Sequence, residues 1–178
     1  MEHLILWKRY LKGDKEALSL IFRIYFDDLF SYGMKLSNSA EIVEDSMQDM
    51  FFRLWKNREN LGEIANIKYY LLKALRHRIY DNLNWKNRFF TTETPEEELF
   101  EIEFSHEDFL INEQLDKEKR ERLINTLNQL SESQKEAIYL RYFKNYDYKL
   151  IAKMMNISLQ SVRNAIHRGI TACREIIE

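Results

Sequence analysis

Near the C-terminus, a run of polar side chains at helical spacing carries groups that can read DNA. The chain reads YDYKLIAKMMNISLQSVRNAIHR from Tyr146 to Arg168, the pattern of two short helices joined by a tight turn. The side chains predicted to face outward from the second helix include Gln160, Arg163, Asn164, His167 and Arg168. Arginine can pair with guanine edges or phosphate oxygens, and asparagine or glutamine can pair with adenine. The pattern therefore favours a DNA-binding helix-turn-helix over an ordinary helical hairpin.

A second group of candidate side chains is acidic and falls in the helix predicted from Glu41 to Lys56. Its outward face is predicted to hold Glu41, Glu44, Asp45, Gln48, Asp49 and Phe52. Paired carboxylates can serve acid–base catalysis or bind a metal. Asp45 and Asp49 lie one helical turn apart, however, and no His, Cys or Gly-rich loop accompanies them to complete such a site. A solvated or protein-binding face is the better interpretation, and no catalytic residue, metal or cofactor is predicted.

A third group mixes cations with aromatic rings in the segment IKYYLLKALRHRIYDNLNWKNRFF, residues 67–90. Its cationic and histidine side chains are Lys68, Lys73, Arg76, His77, Arg78, Lys86 and Arg88, and its outward aromatics include Tyr69, Tyr80 and Trp85. Such a surface suits single-stranded nucleic acid, because cations hold phosphates and rings stack on unpaired bases. A basic amphipathic helix with solvated cations and core aromatics is an equally good interpretation of these residues alone.

The elements that position these groups are predicted to be helices throughout. Only one proline and four glycines occur in 178 residues, well below ordinary usage, and 45% of the residues are apolar. The formal charge of −2 conceals acidic and basic residues that fall in different parts of the chain. A single cysteine, Cys173, and an N-terminus without a long apolar run favour a cytoplasmic location.

In the first half of the chain, a short helix is predicted to end at Gly13, and Asp14 is predicted to cap a longer helix. The apolar residues expected to form the core from this longer helix are Leu18, Ile21, Phe22, Tyr25, Phe26, Leu29 and Phe30. The following helices are expected to add Val43, Met47, Met50, Phe51 and Leu54, and then Ile67, Tyr70, Leu71, Ala74, Leu75, Ile79 and Leu83.

Between the two halves, residues 91–112 are predicted to form an acidic linker. This segment contains the only proline, Pro95, and a dense run of glutamates, and its helical periodicity is weak. Its apolar residues, which are unusual for a solvated spacer, include Phe100, Ile102, Phe104 and Phe109. They indicate that the linker docks on the chain itself or on a partner. The predicted domains are therefore residues 1–90 and 113–178.

In the C-terminal domain, helix boundaries are marked by capping residues. Ser131 and Gln134 form a capping-box pattern, Asp147 and Ser158 are predicted N-caps, and Asn156 is predicted to take the left-handed conformation in the turn. The residues of the last helix expected to face the core are Val162, Ile166, Ile170, Cys173 and Ile177.

Taken together in this order, these segments resemble the extracytoplasmic-function (ECF) sigma factors, the small alternative sigma subunits of bacterial RNA polymerase. The similarity rests on EIVEDSMQDMFFRLW and IKYYLLKALRHRIYDNL in the first half and on LNQLSESQKEAIYLRYFKNYDYKLIAKMMNISLQSVRNAIHRG in the second. It implies an all-α protein with two small helical domains joined by the acidic linker, the second containing the helix-turn-helix. Its partners would be core RNA polymerase, through the β′ clamp and β flap, and promoter DNA. A membrane-linked anti-sigma factor is a further implied partner, and no small-molecule substrate is expected.

The resemblance also implies a role for each group of residues. The surface implied to bind core polymerase is Asp45, Gln48, Asp49, Phe52 and Trp55. The residues implied to melt and read the −10 element are Lys73, Arg76, His77, Arg78, Tyr80, Asp81 and Trp85. Those implied to read the −35 element are Gln160, Ser161, Arg163, Asn164, His167 and Arg168. The chain departs from the family pattern at His77, where many members have Asn, and at Gly169, where Ala is usual.

Two other classes of protein remain as alternatives. A stand-alone helix-turn-helix regulator that binds duplex DNA without polymerase would explain the second half but would assign no purpose to the acidic helix or the basic aromatic one. A small metal-dependent nuclease would need clustered carboxylates and histidines. The four histidines, at positions 3, 77, 106 and 167, are scattered without ligand spacing.

Overall fold

The computed structural model describes residues 2–87, 100, 102–109 and 116–177, without the side chains of residues 2, 85–87 and 175–177. Within these ranges, all regular secondary structure is helical. The chain divides into two compact units, residues 1–94 and 95–178. The predicted all-α fold with two helical domains is thereby confirmed. The bounds predicted for the domains and the linker stay a prediction, and the acidic run at residues 96–98 lies outside the described residues.

The first unit is built from four helices that pack against one another. They are α1 (Glu2–Leu11), α2 (Lys15–Leu36), α3 (Ala40–Asn57) and α4 (Ile67–Asn87). α2 packs against the other three, and α3 also packs against α4. A short 3-10 turn, Arg58–Asn60, follows α3 and begins the connection to α4.

The boundaries of these helices follow from local side-chain chemistry. Gly13, with a φ of +88°, ends the α1 turn in a conformation that side chains disfavour. Asp14 then accepts a hydrogen bond from the amide of Ala17 at 3.1 Å, as a predicted N-cap should. Ser39 caps α3 by accepting from the amide of Ile42. The Asn66 side chain accepts from the amide of Tyr69 at 3.0 Å and so caps α4.

The core of the first unit corrects one expectation about α2. Ile21, Tyr25 and Leu29 are buried as expected, but Phe22 and Phe26 are 37% and 36% exposed. The centroids of these two rings lie 5.3 Å apart. The Phe22 ring also forms a T-shaped contact with the ring of Phe51 on α3. The apolar stripe of α2 is wider than the face its neighbours cover, so its outer aromatics remain at the surface.

In its described residues, the second unit contains four α-helices. They are α5 (Lys117–Asn128), α6 (Glu132–Ile138), α7 (Tyr148–Met155) and α8 (Leu159–Ile177), and a π-helical turn, Tyr139–Phe143, extends α6. α8 packs against the other three helices of the unit. The predicted caps are confirmed: Ser131 and Gln134 form the capping box, and Asp147 accepts from the amide of Leu150 at 2.8 Å. Asn156 takes the left-handed conformation, with φ 58° and ψ 39°.

Part of the predicted linker packs on the second unit as a strap, here defined as residues 102–109, of which His106–Phe109 form a 3-10 turn. Ile102 and Phe104 are each only 1% exposed, whereas Glu103 between them points to solvent. The amide of Ile102 donates to Glu132 Oε2 at 2.8 Å. Asn128 both accepts from the amide of Phe104 at 2.8 Å and donates to its carbonyl at 2.9 Å. The strap therefore docks on this unit of the chain itself, one of the two possibilities that its apolar residues indicated.

The last helix corrects a second expectation. Val162, Ile166 and Cys173 are buried as predicted, but Ile170 is 37% exposed. Its predicted core position is taken by the neighbouring Gly169, which is buried. Ile177 was also expected in the core, but its side chain lies outside the described part of the chain. Over the ranges described, no helix has the length and apolar character needed to cross a membrane.

Candidate polymerase and nucleic-acid surfaces

The outer face of α3 carries the residues predicted to bind polymerase. Asp45 and Gln48 are exposed, and Phe52, at 64% exposure, is the most exposed large hydrophobic side chain in the described part of the chain. A Phe side chain left this far in water is a candidate anchor for a protein partner, since burying it would release apolar surface.

Trp55 is placed differently from its predicted neighbours on that face. Its ring lies 4.6 Å beneath the Arg58 guanidinium and 6.5 Å from the ring of Tyr10 on α1. Arg58 is in turn held by a hydrogen bond from its Nη1 to the Trp55 carbonyl at 3.0 Å. Trp55 is thus partly engaged within the unit, and only its remaining surface is open to a partner.

Asp49 connects the α3 face to α4. Arg53 Nε donates to its two carboxylate oxygens at 3.0 and 2.8 Å, and Arg78 Nη1 on α4 lies 3.6 Å from Oδ2. Arg78 also pairs with Asp81 on its own helix, Nη2 to Oδ2, at 2.7 Å. These four residues, which we call the α3–α4 charge cluster, hold two carboxylates and two guanidinium groups. The cluster is therefore formally neutral.

The residues predicted to act on the −10 element are distributed along α4. His77 and Asp81 are exposed, while Lys73, Arg76, Arg78 and Tyr80 are half-buried. Trp85 also lies in α4, but its side chain is outside the described residues. Six of the seven predicted side chains are therefore described on α4, and all six are at least partly exposed.

The protonation equilibrium of His77 on α4 is altered by its surroundings. Burial of part of its ring lowers its pKa below the usual value, and the positive charges of Arg76 and Lys73 lower it further. The imidazole is therefore neutral near pH 7, and it can contact a base by hydrogen bonding without adding positive charge.

A groove of about 280 Å³ between α3 and α4 brings predicted core residues and two of the predicted −10 residues together with Arg53, Asn57 and Leu61, which the sequence did not single out. Met50, Leu54, Leu61, Tyr70 and Ala74 line it with apolar and aromatic surface, and Arg53, Asn57, His77 and Arg78 line it with polar groups. Arg53, Asn57 and Leu61 were missed because they come from α3 and the loop after it, and only packing against α4 places them beside His77 and Arg78. Rings beside cations can accept a base and its phosphate.

A partly buried hydrogen bond joins α3 to α4 near this groove. Asn82 Nδ2 donates to Ser46 Oγ at 2.8 Å, and Ser46 is completely buried. Since a buried hydroxyl without a partner is unfavourable, this contact sets how the two helices align. It supports the α3 and α4 faces in their observed positions.

In the second unit, α8 presents the residues predicted to read the −35 element. All six of them are exposed: Gln160, Ser161, Arg163, Asn164, His167 and Arg168. Gln160 Nε2 donates to Asn164 Oδ1 at 2.9 Å, which orients the Asn164 amide. Ser158 caps α8 as predicted, because its Oγ accepts from the Ser161 amide at 3.0 Å and also contacts the Ser161 hydroxyl at 2.8 Å.

Comparison with known proteins matches both halves of the chain. A family model for sigma-70 region 2 matches residues 21–89, and one for sigma-70, region 4 matches residues 120–173. RNA polymerase sigma factor YlaC of Bacillus subtilis is 22% identical over 159 residues, which cover 87% of this chain and 88% of that protein. ECF RNA polymerase sigma factor SigL of Mycobacterium tuberculosis is 24% identical over 175 residues, which cover 92% of this chain and 93% of that protein.

The fold is also similar to that of a solved sigma factor. The structure of RpoE from Bartonella quintana, in complex with the anti-sigma factor NepR, aligns with a TM-score of 0.59 at 20% identity. The alignment covers 88% of this chain and 93% of that one. With both sigma-70 regions matched and relatives aligned over most of their length, the chain belongs to the ECF RNA polymerase sigma factors.

Proposed function

We propose that this protein binds core RNA polymerase and directs promoter-specific transcription initiation by recognising −10 and −35 elements. The observation that carries the proposal is the pairing of two kinds of surface in one chain. One unit has an acidic and aromatic α3 face beside the basic and aromatic α4, and the other has the exposed polar face of α8 in a helix-turn-helix.

Core polymerase is proposed to bind through Asp45, Gln48, Asp49, Phe52 and the open part of Trp55. Phe52 would supply the apolar contact at the centre, and the carboxylates at its rim would meet basic groups of the clamp. Such an arrangement gives specificity and orientation from charge, and affinity from burial of the aromatic ring.

The −10 element is proposed to be held by α4. Opening a duplex costs about 1.4 kcal/mol for each base-pair step lost. Stacking of a captured base on an aromatic side chain returns about 1–3 kcal/mol, and neighbouring cations hold the phosphates. The groove between α3 and α4, with Tyr70 as its ring and Arg53, His77 and Arg78 along it, offers both kinds of contact.

The −35 element is proposed to be read as duplex by α8 in the major groove. Asn164, oriented by Gln160, can accept from and donate to adenine, and Arg163 and Arg168 can contact guanine or phosphate. The protein is proposed to have no catalytic role of its own and to act in the cytoplasm. An inhibitory anti-sigma partner is also proposed, in keeping with the complex in which RpoE was solved.

The test is run-off transcription with core polymerase, with and without the full-length protein. Promoter-specific transcripts should depend on the protein, and Asp45→Arg and Phe52→Ala should abolish them while helical content is retained. Asp27→Arg, which makes the same charge change at an exposed position of α2, is the matched control and should keep the transcripts. Tight binding of a promoter duplex by the isolated protein, with no effect on polymerase, would instead establish the stand-alone regulator.

A further inference from the structure

Asp49 belongs to two surfaces at once, because it lies on the face proposed for polymerase and contacts an arginine proposed for DNA. We propose that Asp49 is the counter-ion that keeps Arg53 and Arg78 from DNA in the free protein. A cationic group of core polymerase that binds Asp49 would release them. This inference rests on the proposed function and adds to it a way in which polymerase binding prepares the −10 surface.

The geometry of the α3–α4 charge cluster determines which contact breaks first. Arg53 Nε is bonded to both oxygens of Asp49, whereas Arg78 Nη1 approaches Oδ2 only to 3.6 Å. The Asp49–Arg78 contact crosses between two helices and is the longest in the cluster. A cation that arrives from the α3 side would therefore displace Arg78 before Arg53.

The charge balance of the cluster gives this displacement an effect on DNA. Asp49 and Asp81 together neutralise Arg53 and Arg78. When an external cation neutralises Asp49, the remaining three residues carry a net positive charge. Both arginines line the groove between α3 and α4, so this charge develops where a strand would enter it.

Exposure of the cluster allows such an exchange. The Asp49 side chain is 42% exposed, so a partner can reach it, whereas the Arg78 side chain is only 25% exposed. The aliphatic part of Arg78 is therefore held by packing while its guanidinium exchanges partners, and release requires no movement of α4.

The inference is tested by binding of a fluorescently labelled, mixed-sequence single-stranded oligonucleotide to the full-length protein without polymerase. Asp49→Asn removes the counter-ion with little change in shape. It should tighten binding by about two- to fivefold, the range expected for a surface ion pair. The slope of log K against log salt should steepen by up to about 0.7 if one more phosphate is contacted.

Asp45→Asn is the matched control. It removes the same charge from the same helix one turn earlier, at an exposed position, whereas the ion pairs described for α3 with Arg53 and Arg78 are made by Asp49. Its effect should be clearly smaller than that of Asp49→Asn. In protein that also carries Arg78→Gln, the gain in oligonucleotide affinity from Asp49→Asn should largely disappear.

Equal effects of Asp49→Asn and Asp45→Asn would overturn the inference, and so would a gain that persists undiminished with Arg78→Gln. Failure of both the wild type and Asp49→Asn to bind the oligonucleotide at low salt would overturn it as well. Run-off transcription by the wild type separates this failure from failure of the proposed function, because protein-dependent transcripts would leave the proposed function standing.

Discussion

Gly169 on α8 packs so closely against Ile138 at the end of α6 that a methyl group at residue 169 would overlap Ile138 Cδ1. The same methyl group would lie 3.2 Å from Leu130 Cδ1. Alanine is usual here in the family that the sequence resembles, and a helical glycine costs about 0.5–1 kcal/mol relative to alanine. Close packing of α8 on α6 explains why this chain has glycine rather than alanine at position 169.

Gly169→Ala is accordingly expected to destabilise the second unit, although it improves helix propensity. Overpacking of a core costs about 1–3 kcal/mol, against a propensity gain of about 0.5–1 kcal/mol, so a net loss of about 1 kcal/mol is expected. Cys173 is the only cysteine of the chain and its thiol is buried, so the fraction of Cys173 labelled at each urea concentration measures unfolding of this unit. A variant more stable than wild type would contradict the packing explanation.

Ile138→Val supplies the compensating change. Alone it should cost about 0.5–1.5 kcal/mol, as a methyl deletion from the core does. With Gly169→Ala in place it should be neutral or stabilising, because it removes the methyl group that the new side chain meets. Additive losses in the double variant would show that the two positions do not compete for space.

Docking of the strap depends on Asn128, whose side chain makes two hydrogen bonds to the backbone of Phe104. Asn128→Ala would leave a buried amide and carbonyl without these partners, and the second unit should lose about 1–3 kcal/mol of stability. Hydrogen exchange at the amides of Ile102 and Phe104 should accelerate. Asn125→Ala, at an exposed position one turn earlier on α5, should change neither quantity. Unchanged exchange in Asn128→Ala would show that the aromatic contacts alone hold the strap.

The lowered pKa of His77 predicts a pH dependence of stability in the first unit. Because the folded pKa lies below the unfolded value of about 6.5, the unfolded chain binds more protons between these values. The contribution that neutral His77 makes to the free energy of unfolding is then fully present above about pH 6.5 and is lost as the pH falls through the folded pKa. His77→Asn should reduce the loss measured between pH 7.5 and 5.5.

Tryptophan fluorescence is a suitable probe for this measurement, because all three tryptophans, at positions 7, 55 and 85, lie in the first half of the chain. His167→Asn on α8 changes the same residue type in the other unit and should leave the response of this probe at its wild-type size. A response in His77→Asn as large as that of the wild type would assign the pH dependence to other groups.

The Gln160–Asn164 hydrogen bond predicts how α8 distinguishes bases. Asn164→Ala should cost about 1–3 kcal/mol of discrimination at one base pair of the −35 element. Gln160→Ala should lose part of the same discrimination by freeing the Asn164 amide, so the double variant should lose no more than Asn164→Ala alone. Competition between promoter variants in run-off transcription measures these differences. Arg174→Ala, in the last turn of α8, should leave discrimination at that base pair unchanged, and additive losses at positions 160 and 164 would show independent contacts.

Local sequence chemistry determined most of the fold. Caps act on the nearest backbone amides, so Asp14, Ser131 and Asp147 marked the starts of helices without knowledge of the rest of the chain. Asn156 marked the turn of the helix-turn-helix for the same reason, since its left-handed conformation is a property of the residue and its immediate neighbours. The outward face of α8 followed from helical periodicity alone.

Tertiary packing decided what periodicity could not. A stripe of apolar residues does not reveal how much of it a neighbour covers, so Phe22 and Phe26 were expected in the core and lie at the surface. The close approach at Gly169, the docking of the strap and the Asp49–Arg78 contact each join residues far apart in the chain. Sequence alone predicted which surfaces this protein carries. Only the tertiary structure showed that Asp49, on the surface proposed for polymerase, contacts Arg78, on the surface proposed for DNA, because that contact depends on the alignment of α3 with α4.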